Sequence, residues 1–174
     1  MPVRIVVEGG PFREVPRALV TARARAMLRA VQMEDAELSI VLTGDDQIQN
    51  LNRIYRKKNR PTDVLAFAQR EGAYGEQAGR LLGDVVISVP TARRQAQARA
   101  ATLRSELTML LAHGLLHLLG WDHQTDAADR RMRRETARLC EAAEAARSKT
   151  TVKGRTRRPS KPPSRPGSRS RSAR

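Results

Sequence analysis

The 174-residue chain carries 33 Lys and Arg against 18 Asp and Glu, a formal net charge of +15, with one cysteine, three histidines and few aromatics. One cysteine, Cys140, excludes an intramolecular disulfide and fits a reducing cytoplasm. The opening MPVRIVVEGG lacks the charged start and long apolar run of a signal peptide, and two histidines interrupt the most apolar segment, 107–121, so a soluble cytoplasmic protein without a membrane span is expected.

In chain order, Val3 to Val7 is β-branched and runs into Gly9-Gly10-Pro11, which reads as a strand entering a turn. From Val15 to Met33, apolar Val15, Leu19, Ala22, Ala26 and Ala30 recur three or four apart between arginines, the mark of an amphipathic helix. Leu38 to Leu42 reads as a second strand. Thr43-Gly44-Asp45 then supplies a turn and a cap for a helix over DDQIQNLNRIYRKKNR, with Ile48, Leu51 and Tyr55 on its buried face and Pro61 as its break. Two further apolar runs, DVLAFA at 63–68 and LLGDVVISV at 81–89, flank a polar, glycine-containing connection. Pro90 and Thr91 open a helical half: 91–100, 102–119, then Asp126 to about Ala146 with Met132, Leu139 and Ala143 inward. Strands mixed with helices first, and helices alone afterwards, predict a single α+β domain, with a small mixed sheet of about four strands and about five helices.

The domain is expected to span 1–146. Beyond it, eleven of the basic residues fall in 147–174 with no acidic residue among them, leaving the body 22 basic against 18 acidic residues. This Ser, Arg, Lys and Pro-rich tail cannot bury enough apolar surface to offset its ordering entropy, so disorder is expected. It reads either as an electrostatic ligand for phosphate backbones or as a solubilising extension.

All three histidines lie in HGLLHLLGWDH, residues 113–123. On a helix, His113 and His117 stand one turn apart on one face. Gly120 can take the left-handed conformation that ends the helix and returns His123 to the same point. Three imidazoles among leucines, where an unpaired ring is costly, point to a metal, and three protein ligands leave a fourth position, as in catalytic zinc sites. The spacing also matches the zinc-protease pattern H-E-x-x-H-x-x-G-x-x-H, except that Gly114 replaces the glutamate serving as general base, so a peptidase is the weaker reading. Glu106 lies too far back along the helix to replace it. Asp122 could orient a histidine or cap the final helix.

The motif H-G-x-L-H-L-x-G-W-D-H closely resembles the signature of the YbeY family of bacterial endoribonucleases. The resemblance extends through LNRIYRKKNRPTDVLAFA (51–68), LLGDVVIS (81–88) and ELTMLLAHG (106–114), covering about residues 38 to 140. It implies a single-strand-specific, zinc-dependent endoribonuclease acting in ribosomal RNA maturation, at the small-subunit 3′ end, and in ribosome quality control. It further implies one zinc ion on His113, His117 and His123, a catalytic Arg56, and ribosomal RNA, ribosomal subunits and assembly factors as partners. The sequence departs where the family often has Ser and Pro, at Ala66 and Ala68. Those read as strand positions that leave the site in place. The tail lies outside the resemblance.

The chemistry is consistent with that family. Zinc can polarise a phosphoryl oxygen, and a guanidinium can make two parallel hydrogen bonds to a phosphate. Arg53, Arg56, Lys57, Lys58 and Arg60 form a basic run that by itself reads as solvated surface; only the resemblance selects Arg56. As a patch, the run can hold a nucleic-acid backbone without reading bases. The scarcity of aromatics makes an extensive base-stacking platform unexpected. The remaining alternative is a non-enzymatic ribosome-assembly factor whose zinc is structural, closed by Asp122 or Cys140.

Overall fold

The described residues, seen in a computed structural model, are 3–69 and 79–152, with side chains described to 146. Their elements run β1 (Val3–Val7), α1 (Arg17–Ala30), β2 (Glu37–Thr43), α2 (Asp45–Arg56), β3 (Val64–Ala68), β4 (Leu81–Ser88), α3 (Val89–Ala98), α4 (Leu103–Leu118) and α5 (Asp126–Val152). Most of the expected connection between β3 and β4, and the basic stretch from 153 onward, lie outside the described residues.

The strands form one sheet in the order β1-β2-β4-β3. β1, β2 and β4 are parallel, while β3 is antiparallel to β4, with Val64 opposite Ile87 and Ala68 opposite Gly83. The chain is thus a single α+β domain with a mixed sheet. Alternation along the strands sends Leu38, Ile40, Leu42, Val85 and Ile87 into the main core, against Met27 and Leu28 of α1, Leu111 and Leu115 of α4, and Met132 and Leu139 of α5. On the opposite face Leu65 and Val86 pack with Ile48 of α2. This is the period-two logic of a sheet covered on both sides.

Two local expectations need correction. The buried residues of α1 are Val20, Arg23, Ala24, Ala26, Met27 and Leu28, whereas Ala22 is exposed. Val20, Ala24, Met27 and Leu28 follow steps of three and four on a stripe displaced around the helix from the expected one, which leaves Ala22 on the outer side. In α2 the buried side chains are Ile48 and Asn52, while Tyr55 is 63% exposed. Asn52 is buried because its amide donates to the Arg60 carbonyl at 2.8 Å, pinning the chain after the helix. That helix ends at Arg56, with Lys57 in the left-handed region at φ 59°, well before Pro61.

The cap of α2 falls within the expected Thr43-Gly44-Asp45 triplet. Gly44 is the N-cap of α2 and makes no side-chain cap bond, and the Thr43 hydroxyl has no partner among the described residues. Asp45 instead turns toward the next layer, accepting hydrogen bonds from Ser88 at 2.5 Å, Thr91 at 2.7 Å and Arg94 at 2.9 Å. Burial pushes its carboxyl pKa up, but these three donors outweigh that and hold it below the ordinary value. The network ties the start of α2 to the end of β4 and the start of α3, which fixes the helix that carries Arg56.

Asp45→Ala is therefore expected to cost about 2 kcal/mol in urea unfolding at pH 7, because it strands the fully buried Ser88 hydroxyl. A lowered folded-state pKa means the contribution is complete above the unfolded value of about 4 and fades as pH falls through the folded value. The stability difference between wild type and Asp45→Ala should accordingly shrink below about pH 4. A difference that stays constant down to pH 2 would contradict the network's role.

Candidate metal centre and nucleic-acid cleft

The candidate centre is built on α4. Thr102 caps that helix, its hydroxyl accepting from Ser105 N–H at 3.1 Å. Leu107, Leu110, Leu111, Leu115, Leu116 and Leu118 are buried, so the helix is set into the molecule and only a narrow stripe remains for polar groups. His113 and His117 occupy that stripe, half-buried, with their Nε2 atoms 3.2 Å apart.

The end of α4 behaves as the sequence leads one to expect. Gly120 sits at φ 80°. Its N–H donates to the His117 carbonyl, and Trp121 N–H donates to the Leu116 carbonyl, both at 3.0 Å. This paired closure is a Schellman motif, which needs a left-handed residue at the glycine position. It turns the chain back, and the exposed His123 comes to within 5.3 Å of His117 and 5.9 Å of His113, ring centre to ring centre.

One ligand atom from each histidine lies within 4.8 Å of the others. A tetrahedral ion at about 2.0–2.1 Å from imidazole nitrogens places two such nitrogens about 3.4 Å apart, close to the separation of the His113 and His117 pair. Both rings are held below the ordinary histidine pKa. For His113 the cause is burial and then the neighbouring His123, opposed by Asp63 and Asp129. For His117 it is burial, then His113 and His123, opposed by a hydrogen bond to the Trp121 backbone and reinforced by Arg56. Neutral imidazole is the form that ligates metal, and the backbone contact orients the His117 ring. The donor set fits a divalent ion.

Around the histidines opens a cleft of about 570 Å³. Arg56, at the last residue of α2, lines it from one side, and Asp63, Ala66 and Ala68 line it from β3 and the loop before it. No carboxylate pairs with Arg56 among the described residues. Arg53, Lys57, Lys58 and Arg60 are exposed beside it. Ala66 and Ala68 are therefore strand positions, as expected, and they also form part of the cleft wall.

Gly114 is more than a missing base. A Cβ there would stand 2.6 Å from the Val85 Cγ1 and 3.3 Å from the Val64 Cγ2, so α4 lies against the sheet at a distance that admits no side chain. A glutamate at this position has no room. Glu106 is buried and paired with Arg99 at 2.9 Å, which removes it from the site. The α5 cap is Thr125, whose hydroxyl accepts from Ala128 N–H at 3.1 Å, so Asp122 does not fill that role; it lines the cleft. Cys140 packs against the core, with burial first and Glu144 next pushing its thiol up to about 11. It is not among the cleft-lining residues.

Sequence reasoning passed over Asp63. Its carboxylate accepts from Val64 N–H at 2.8 Å and from the Gln95 amide at 3.0 Å, holding a fixed charge near His113. No motif spacing links it to the histidines, since strand pairing brings it there. Trp121, the one tryptophan of the chain, also lines the cleft; its signal was its place inside the histidine motif.

Comparison with known proteins gives a consistent result. The family model described as Endoribonuclease YbeY matches residues 13–144. A protein named Endoribonuclease YbeY from Anaeromyxobacter sp. strain Fw109-5 is 48% identical over 142 residues, covering 82% of this chain and 72% of that one. Its namesake from Synechococcus sp. strain JA-2-3B'a(2-13) is 51% identical over 114 residues, covering 63% and 70%. A solution structure of a Thermotoga maritima protein shares the fold, with a TM-score of 0.57 at 22% identity, covering 88% of this chain and 99% of that one.

Proposed function

The chain belongs to the YbeY endoribonuclease family, and we propose that it is a zinc-dependent endoribonuclease that cuts single-stranded RNA in ribosomal RNA maturation. The observation that carries this reading is the convergence of three histidines and Arg56 on one cleft. His113, His117 and His123 would hold the ion, whose Lewis acidity serves a phosphoryl oxygen or the attacking water.

The chain's own residues do the rest. Attack on phosphorus, by water or by the neighbouring 2′-hydroxyl, adds negative charge to the non-bridging oxygens, and the bond to the bridging ester oxygen then breaks, that oxygen leaving with a proton in place of the one the nucleophile gives up. The Arg56 guanidinium donates two N–H bonds to those oxygens and is stronger toward the transition state than toward the bound strand. Arg53, Lys57, Lys58 and Arg60 attract the backbone on either side without selecting bases. Asp63, fixed by Val64 and Gln95, sets a negative charge beside His113 and keeps the phosphate toward the arginine side.

Family likeness supports RNA as the substrate; the small-subunit 3′ end of ribosomal RNA, ribosome quality control, and ribosomal subunits and assembly factors as partners are part of the same proposal. No helix among the described residues is long and apolar enough to cross a membrane, and the cytoplasm is the proposed setting. We place the catalytic domain at 1–146 and a basic arm at 147–174, whose first residues, to Val152, continue α5 beyond the expected end near Ala146.

The test is cleavage of a single-stranded ribosomal RNA fragment and of the same fragment annealed to its complement. Protein stripped by chelator should cut neither, and stoichiometric zinc should restore cutting of the single strand alone. Zinc-loaded protein that cuts nothing would favour the assembly-factor reading. Cleavage that survives chelation would remove the metal from the mechanism.

A further inference from the structure

Behind the histidine loop lies a second depression of about 300 Å³, lined by Leu119, Gly120, Trp121, Asp122, Ala128 and Arg131. Gly120, Trp121 and Asp122 line this depression and the histidine cleft alike. Trp121 is 38% exposed, unusual for an indole with no binding task, and its backbone is fixed by the bond to the Leu116 carbonyl. Among the described residues it is the one Phe, Tyr or Trp that lines the cleft. Arg131 is exposed, and no carboxylate pairs with it among the described residues.

We infer that Trp121 and Arg131 form a nucleotide subsite next to the histidine cluster, in which the indole stacks one unpaired base and Arg131 takes the phosphate beyond it. Every base has a π-face, so a single aromatic ridge accepts any nucleotide of a flexible strand and rejects a base held in a duplex. The charge pattern sets the order along the strand. Asp122, shared by both depressions, repels a phosphate at the ridge, so the ridge takes a base or ribose and the next phosphate falls to Arg131. The strand would run from Arg56 past the histidines and over Trp121 to Arg131. This inference rests on the nucleic-acid reading of the cleft and adds to it the source of the single-strand preference.

Because the chain has one tryptophan, its fluorescence reports the subsite directly. The probes are a short oligoadenylate RNA and an oligomer with the same phosphates but abasic positions, mixed with zinc-loaded protein by stopped flow. Oligoadenylate should quench Trp121, and the abasic oligomer should not. Trp121→Ala should weaken oligoadenylate binding about 5- to 100-fold, with Trp121→Phe recovering most of it. Arg131→Ala should reduce the slope of log affinity against log salt by about 0.7. Zinc content should be unchanged in all three variants. Equal quenching by both oligomers, or wild-type affinity in Trp121→Ala, would overturn the subsite. Quenching and affinity are read without cleavage, so base-dependent quenching in a protein that never cuts would sink the nuclease and leave the subsite standing. Cleavage without base-dependent quenching would do the reverse.

Discussion

His117→Ala is expected to abolish RNA cleavage and to strip the metal from the purified protein. The central position of His117 makes it the most sensitive of the three. Its Nε2 stands 3.2 Å from that of His113, and its ring lies nearer to His123 than the His113 ring does. If the binding energy of a typical protein zinc site, about 10–16 kcal/mol, is shared among four ligands, losing one weakens the site by on the order of 10²-fold or more. Activity should fall to background. The fold should survive, because His117 is half-buried at the cleft and alanine is a good helix former. Circular dichroism and the unfolding midpoint of metal-free protein should match wild type, while zinc measured by mass spectrometry drops. Full zinc occupancy and full activity in His117→Ala would dismiss the three-histidine centre.

Arg56→Ala should separate binding of the metal from chemistry. Zinc content is expected to be unchanged, and kcat/KM on single-stranded RNA should fall by about 10²- to 10³-fold, the usual effect of removing one donor aimed at transition-state charge. Arg56→Lys should recover only part of the loss, since an ammonium cannot offer two parallel N–H bonds. Stability should stay within about 0.5 kcal/mol of wild type, as an exposed side chain with no paired carboxylate among the described residues contributes little. The drop should fall on kcat more than on KM, because the basic neighbours still hold the backbone. A variant with unchanged kcat/KM would make Arg56 one more surface charge.

The histidine constellation was legible in the sequence because it is local. A helix period from His113 to His117 and a glycine turn that returns His123, six positions after His117, define it with no long-range contact. The helices and strands were legible for the same reason, since period and punctuation are written residue by residue. What was not legible depends on pairing across the chain. Nothing near Asp63 in sequence announces that β3 lies antiparallel on β4 and brings Asp63 beside His113. Tyr55 looked like the next inward position of α2, yet Asn52 is buried because its bond to Arg60 closes the helix end. Arg56 stood out from four other cations only through resemblance, because an open cleft is a property of the assembled domain.

The tight seat of α4 has a consequence for how the site could change over evolutionary time. Gly114 lies between the two helical histidines, and Val85 sets how closely the helix approaches the sheet. His113 and His117 therefore ride on a rod whose height is fixed from below by a valine methyl, while Arg56 is carried by a different helix on its own footing. Lengthening or shortening the side chain at position 85 would raise or lower both imidazoles together relative to the guanidinium, with every ligand retained. The match between ion, phosphate and arginine can thus drift through substitutions in the hydrophobic interior, and a preference for a different metal could arise in a residue that never touches it.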